Sequence, residues 1–120
     1  MEFWSTIRMQ RSTREVTVSD TYAIVRQAIL DMRQIVGTYR GHRREMCPHV
    51  IGTKDGGERA LFFQFAGSSS SGLPPGGEWR CIPIEGLSAV SSRSGQWYTA
   101  ASGHTQPQRC MDVIDVQVEP

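Results

Sequence analysis

The sequence contains no long apolar run, and this absence excludes a membrane-spanning protein. No stretch of the 120 residues approaches the roughly 18 to 20 consecutive apolar residues that a spanning helix needs. The opening MEFWSTIRMQ carries an acid and an early tryptophan, whereas a secretory signal has a basic start followed by an apolar stretch. We therefore expect a cytoplasmic protein with no membrane contact.

Cysteine is also scarce, and its distribution does not predict a disulfide framework. The three cysteines are Cys47, Cys81 and Cys110, an odd number with wide spacing. In a chain without an export signal, such cysteines are expected to be reduced and to serve mainly as small buried side chains.

Motifs for catalysis are missing as well. The glycines between Gly72 and Gly77 are interrupted by Pro74 and Pro75, and no Lys-Ser or Lys-Thr follows them as in a phosphate-binding loop. No cysteine begins a predicted helix, which is one of the environments that activates a thiolate nucleophile. Paired carboxylates with a nearby base are not recognisable. The sequence therefore predicts a protein that is not an enzyme.

The composition is that of one ordinary globular domain. With 38% hydrophobic and 21% charged residues, the chain is long enough to bury one core but too short for two. Residues 1–19 show no clear period and are interpreted as an N-terminal arm or short strand. Residues 20–120 are assigned to a single α+β domain.

An amphipathic helix is the most regular feature. The pattern predicts a helix from Ser19 to Val36, ended by Gly37. Its apolar stripe is formed by Tyr22, Val25, Ile29, Met32 and Val36.

Short extended runs follow the helix. RALFFQF, EWRCIPI and DVIDVQV alternate in the manner of half-buried antiparallel strands, TKDGGE reads as a hairpin turn, and residues 66–78 form a flexible Gly/Ser/Pro loop. One helix on about five strands indicates an α+β fold, in which the sheet is either strongly curled into a barrel or open. The predicted core consists of Val25, Ile29, Phe63, Phe65, Ile82 and Ile84.

Positive charge is concentrated in one segment. The net charge is only +1, but four arginines and one histidine lie between Arg33 and Arg44 with no acid among them. Arginine forks suit phosphate, and Tyr39 and Trp79 could provide stacking faces beside them. The alternative is a solvated strand whose arginines simply lie in water.

The stretch GHRREMCPHVIG also raises the question of a metal. Cys47 and His49, with His104 and Cys110 near the other end of the chain, supply the donor types of a tetrahedral zinc site. The second pair lacks the close spacing of a zinc knuckle. A zinc-stabilised structural or protein-interaction domain is therefore kept as the alternative function.

The predicted helix leads into a strand that ends in Tyr39, and Arg44 lies four residues before Pro48. A later segment contains Arg80, Ile82, Ile84, Glu85 and Leu87. This order of elements resembles the WYL domain, a small ligand-sensing module of bacterial transcription regulators. The resemblance covers about residues 20 to 90, and two features depart from it: Arg59-Ala60-Leu61 replaces the naming triplet, and Pro83 and Gly86 replace two arginines.

This resemblance implies an N-terminal helix packed on an Sm-like or SH3-like barrel. It also implies a non-enzymatic regulatory module that binds nucleic acid or a nucleotide-like anion. Residues 1–19 are too short for a helix-turn-helix, so the module is expected to be free-standing and to act alone or through a DNA-binding partner protein. The expected binding residues are Tyr39, Arg40, His42, Arg44, Trp79 and Arg80.

The roles within GHRREMCPHVIG follow from this interpretation. Arg44 is assigned to anion contact together with Arg80, whereas Cys47 and His49 are assigned mainly to structure. Replacing both arginines by alanine is expected to leave thermal stability nearly unchanged.

Overall fold

The long helix is shorter than the sequence pattern predicts. The computed structural model describes residues 18–100 and 107–118, so most of the predicted arm lies outside the described residues. Helix α1 spans Val18–Asp31. Met32 turns into the left-handed region with φ 53°, and the N–H of Arg33 bonds the carbonyl of Ala28 at 2.9 Å, which closes a Schellman cap. The predicted continuation to Val36 is therefore wrong, because the chain has already left the helix.

A six-stranded antiparallel sheet forms the rest of the domain, so the α+β prediction is confirmed. The elements after α1 are β1 (Gln34–Tyr39), β2 (His42–Lys54), β3 (Gly57–Gly67), β4 (Glu78–Pro83), a 3-10 turn (Ile84–Gly86), β5 (Leu87–Arg93), α2 (Pro107–Cys110) and β6 (Val113–Gln117). The strand order is β4-β3-β2-β1-β5, and β6 pairs with the second half of β2. Within the described residues, β4 and β5 do not pair with each other, so the sheet is not closed into a barrel.

Two tight hairpins determine how the first three strands follow one another. Arg40 and Gly41 join β1 to β2 with φ angles of 53° and 77°, and Asp55 and Gly56 join β2 to β3 with 52° and 82°. Positive φ at both central residues is the geometry that matches the twist of antiparallel strands. The predicted Asp-Gly turn is confirmed, and the first hairpin carries Arg40 at its tip.

The sheet is buried on both faces, which the alternating pattern did not predict. Phe62 is fully buried in the main core beside Val25 and Ile29 of α1, whereas its neighbour Leu61 packs with Cys110 and Met111 in a second cluster. The predicted core residues are buried except for Phe65, which is only partly buried; those buried are Val25, Ile29, Phe63, Ile82 and Ile84. In β6, the apolar side chain of Ile114 is exposed. Because a layer of the structure covers each face of the sheet, β3 can be apolar at consecutive positions.

Among the described residues, no helix is long and apolar enough to cross a membrane.

A disulfide joins Cys81 of β4 to Cys110 of α2, so the expectation of three reduced thiols is wrong. The fold brings the two residues from 29 positions apart to a Cα–Cα distance of 5.7 Å, within the range of a natural disulfide. Cys47 is the free cysteine and is fully buried. Burial raises the pKa of the Cys47 thiol, which makes this thiol a poor nucleophile.

Thiol counting tests this pairing. In denaturant without reductant, we expect one reactive thiol per chain, from Cys47, and three after reduction. The native protein should react slowly, because Cys47 is inaccessible. A Cys47→Ala variant serves as the control and should show no thiol before reduction. Three thiols in the unreduced, unfolded protein would contradict the disulfide.

Helix α1 is also fastened to β6 by a polar contact. The Tyr22 hydroxyl donates to Asp115 at 2.7 Å, and Arg26 Nε donates to the same oxygen at 3.0 Å. These two bonds hold the pKa of the Asp115 carboxyl below its ordinary value. Burial, followed by the hydrogen bond to Asp115, raises the pKa of Tyr22 to about 12.

A lowered carboxyl pKa makes this contact dependent on pH. Its stabilisation is present above the unfolded pKa of about 4 and is lost as the pH falls through the folded value. We expect Asp115→Asn to lower the free energy of unfolding by about 0.5 to 1 kcal/mol near neutral pH, since the pair is partly exposed. The difference should shrink in acid, as measured by urea denaturation across pH. Glu85→Gln is the matched control, and a difference independent of pH would contradict the assignment.

Candidate anion-binding site

One cavity gathers five of the six predicted binding residues. Its volume is about 410 Å³, and it lies between the β1–β2 hairpin, the loop after β3, and β4. His42 does not line it. The lining residues are Tyr39, Arg40, Arg44, Ser69, Ser70, Ser71, Trp79, Arg80, Cys81 and Ile82. Residues that are distant in sequence therefore converge on one site.

Arg44 lies at the back of this cavity and is only 3% exposed. Its Nη1 donates to Gln64 Oε1 at 3.3 Å and its Nη2 donates to the carbonyl of Tyr39 at 3.2 Å, while its buried Nε has no hydrogen-bond partner among the described residues. The interpretation of a solvated strand therefore fails for Arg44. The expectation that alanine would leave stability unchanged also needs correction, because that substitution would empty a buried position.

Arg80 reaches the cavity from β4 and bonds the loop after β3, whose residues 68–71 are all serines and which we call the serine loop. Its Nε donates to Gln64 Oε1 at 3.2 Å, and its Nη2 donates to Ser69 Oγ at 3.0 Å and to the carbonyl of Gly72 at 2.9 Å. The side chain of Arg80 is 14% exposed. Part of the loop predicted to be flexible is therefore hydrogen-bonded to the floor of the cavity.

Gln64 was not identified from the sequence, although both arginines depend on it. It is fully buried on β3, and its Nε2 donates to the carbonyls of Ala66 and Ser68 at 3.1 Å each. The only sequence signal is a polar residue within the apolar run of RALFFQF. Such a residue needs buried partners, and here these are two guanidinium groups and two carbonyls.

The cavity has an excess of positive charge. Burial first, and then the charge of Arg80, lower the pKa of Arg44, which nonetheless stays protonated as arginine does in proteins. The nearest acid to Arg80 is Glu78, whose carboxylate is half exposed and 3.9 Å away. At that distance, and with the carboxylate half exposed, this pair contributes little. Within the described residues, Arg44 and Arg40 form no ion pair.

One other arginine of the basic segment, Arg43, is neutralised outside the cavity. Arg43 and Arg93 both bond the carboxylate of Glu45, and the hydrogen bond from Arg93 is the main cause of the lowered pKa of Glu45. Arg43 directly precedes Arg44 in β2 but does not line the cavity. Within the basic segment, Arg43 is thus ion-paired and Arg33 donates to Ser92, whereas Arg40 and Arg44 line the cavity.

Aromatic side chains form the remaining wall. The guanidinium carbons of Arg40 and Arg44 lie 5.2 and 5.1 Å from the centre of the Tyr39 ring, within cation–π range. A Cβ on Gly86 would lie 2.9 Å from Tyr39 Cε1, so the glycine makes room for this ring. Trp79 packs edge-on against His49 and Phe63.

The predicted zinc donors do not form one cluster among the described residues. Cys110 is bonded to Cys81, and His104 lies outside the described residues. His49 Nδ1 lies 2.9 Å from the carbonyl of Cys47, and the Cys47 sulfur accepts from the N–H of Tyr98. No group of three or more metal-binding side chains occurs among the residues described.

The cavity is rich in hydrogen-bond donors. Its lining includes three arginines and three serines. Planar guanidinium groups with free donors favour an oxyanion such as phosphate.

Comparison with known proteins identified no relative of this chain. No family model, curated protein sequence or solved structure matches this chain significantly.

The serine loop reaches the cavity because β3 ends at Gly67. This residue has φ 93°, and a Cβ there would lie 2.4 Å from the carbonyl oxygen of Arg43. Beyond it, Ser68 N–H bonds that same carbonyl and Ser68 Oγ lies 3.0 Å from His42 Nδ1. His42 therefore supports the loop from outside the cavity.

Alanine at this glycine tests the loop's attachment. Gly67→Ala should destabilise the fold by more than the cost of a positive φ alone, about 1 to 2 kcal/mol, because backbone must also move. Gly72→Ala is the matched control, since its φ is 84° but its Cβ would meet nothing within 4 Å. Chemical denaturation of both variants measures the difference. Equal losses of unfolding free energy in the two variants would show that the close backbone approach at Gly67 does not affect stability.

Proposed function

We propose that this chain is a non-enzymatic binding module whose cavity takes the phosphate of a nucleotide-like anion. The single observation that carries the proposal is Arg44, a nearly fully buried cation with no carboxylate partner among the described residues. Burying a charge without a counter-charge is costly, and a second cation beside it adds to the cost. A bound anion would remove both penalties.

The size of the cavity favours a small ligand over a long strand of nucleic acid. About 410 Å³ lies within the usual range for small-molecule sites, roughly 300 to 1,000 Å³. Tyr39 and Trp79 supply aromatic faces for a base, and Arg40, Arg44 and Arg80 supply donors for a phosphate. The net charge of +1 offers little general attraction to nucleic acid.

The resemblance to the WYL domain is consistent with this proposal but remains a prediction. It suggested Tyr39, Arg44 and Arg80 from sequence order alone, and these three residues line one cavity. A regulatory role, and action through a DNA-binding partner, belong to the same proposal.

Calorimetric titration with ribonucleoside 5′-monophosphates and a short single-stranded oligonucleotide, at low and high salt, tests the proposal. Arg40→Ala removes an exposed cation that makes no hydrogen bond within the described residues, so the fold should be unaffected. We expect mononucleotide binding about tenfold weaker, as for loss of one charge-assisted hydrogen bond. The salt dependence should become shallower by about one unit of slope.

Arg43→Ala is the matched control for this experiment. Arg43 is an exposed arginine of the same segment, but it pairs with Glu45 and lies outside the cavity. Its loss should leave binding nearly unchanged. Arg44→Lys keeps the charge but not the planar fork, and should weaken binding while the thermal melt reports its effect on the fold. Absence of nucleotide binding at low salt, or equal effects of the Arg40 and Arg43 variants, would overturn the proposal. Tighter binding of the oligonucleotide would make nucleic acid the better ligand.

A further inference from the structure

Gln64 holds two cations without neutralising either of them. Its Oε1 accepts from Arg44 Nη1 at 3.3 Å and from Arg80 Nε at 3.2 Å, and its Nε2 donates to two backbone carbonyls. Only one orientation of the amide is possible, because the two carbonyls need a donor and the two guanidinium groups need an acceptor. All four hydrogen bonds of the side chain are therefore satisfied.

Glutamate has nearly the same shape but would change the electrostatics of the site. A carboxylate at this position would neutralise one of the two guanidinium charges and could not donate to the carbonyls of Ala66 and Ser68. Buried arginines are ordinarily paired with such a carboxylate. Here the amide keeps both positive charges available, and Glu78 is the only carboxylate within 4.0 Å of either guanidinium among the described residues.

From this geometry we propose that Gln64 is a positioning residue that reserves two guanidinium charges for the ligand, so that the cavity selects a dianionic terminal phosphomonoester over a singly charged phosphodiester. The inference rests on the proposed function and specifies its ligand class. Arg40 at the rim adds a third cation. A monoester carries nearly two charges above its second pKa of about 6, whereas a diester carries one.

The first test needs no variant. Wild-type protein is titrated with adenosine 5′-monophosphate and with 3′,5′-cyclic adenosine monophosphate, which share the base and ribose but differ in phosphate charge. We expect the monoester to bind about 10- to 100-fold more tightly, as for one additional charge-assisted contact in a desolvated site. Equal affinities, or tighter binding of the cyclic diester, would overturn the inference while leaving the proposed function standing.

The second test changes the charge of the amide. Gln64→Glu should lower the affinity for the monoester by about tenfold or more and affect the diester less, so that the ratio of the two affinities falls. A purely structural effect would weaken both ligands equally and leave that ratio unchanged, which would contradict the positioning role. Gln117→Glu makes the same charge change at an exposed position on β6 and should preserve the ratio.

The outcomes separate the two proposals. If neither adenosine ligand, nor any other nucleoside 5′-monophosphate, binds wild-type protein at low salt, the proposed function itself fails. If the monoester binds without preference over the diester, only the selectivity assigned to Gln64 fails. Circular dichroism of Gln64→Glu checks the fold, and the wild-type comparison decides the selectivity even if that variant does not fold.

Discussion

The sharing of one amide oxygen by Arg44 and Arg80 is the interaction on which the candidate site depends. Gln64 lies in the middle of β3, so both guanidinium groups are drawn over the buried sheet instead of extending into water. Arg80 then holds Ser69 and Gly72, and the other end of the Gln64 amide holds Ala66 and Ser68. One fully buried neutral side chain thus connects two strands and the loop that closes the cavity.

The surrounding structure offsets the cost of this polar arrangement. Desolvating two like charges is unfavourable, and net stability must come from apolar burial elsewhere. The main core around Phe62 lies under α1, and the second cluster, with Met111, lies on the opposite face. The disulfide adds a covalent link between β4, which carries Arg80, and the segment containing α2. Because a disulfide restricts the unfolded chain, it stabilises the fold without changing the charge of the cavity.

Sequence reasoning succeeded where a residue's role follows from its near neighbours. Val25 and Ile29 are spaced by one helical turn, and Asp55-Gly56 has the intrinsic preference for positive φ, so both features were predictable. The helix end was not, because Met32 adopts a left-handed conformation that its own residue type does not favour. β1 is extended because it pairs with β2. The periodicity of apolar residues within one segment does not reveal a contact with another segment.

The sequence by itself determined the α+β class, the basic segment, and the candidate residues Tyr39, Arg40, Arg44, Trp79 and Arg80. Only the tertiary structure decided which arginines remain unneutralised: Arg43 meets Glu45, whereas Arg44 meets the neutral amide of Gln64. It also decided that Cys81 meets Cys110. The physical reason is that the burial and the neutralisation of a charged side chain depend on its contacts across strands. Strand register determines those contacts, and the distance between two residues along the sequence does not reveal them.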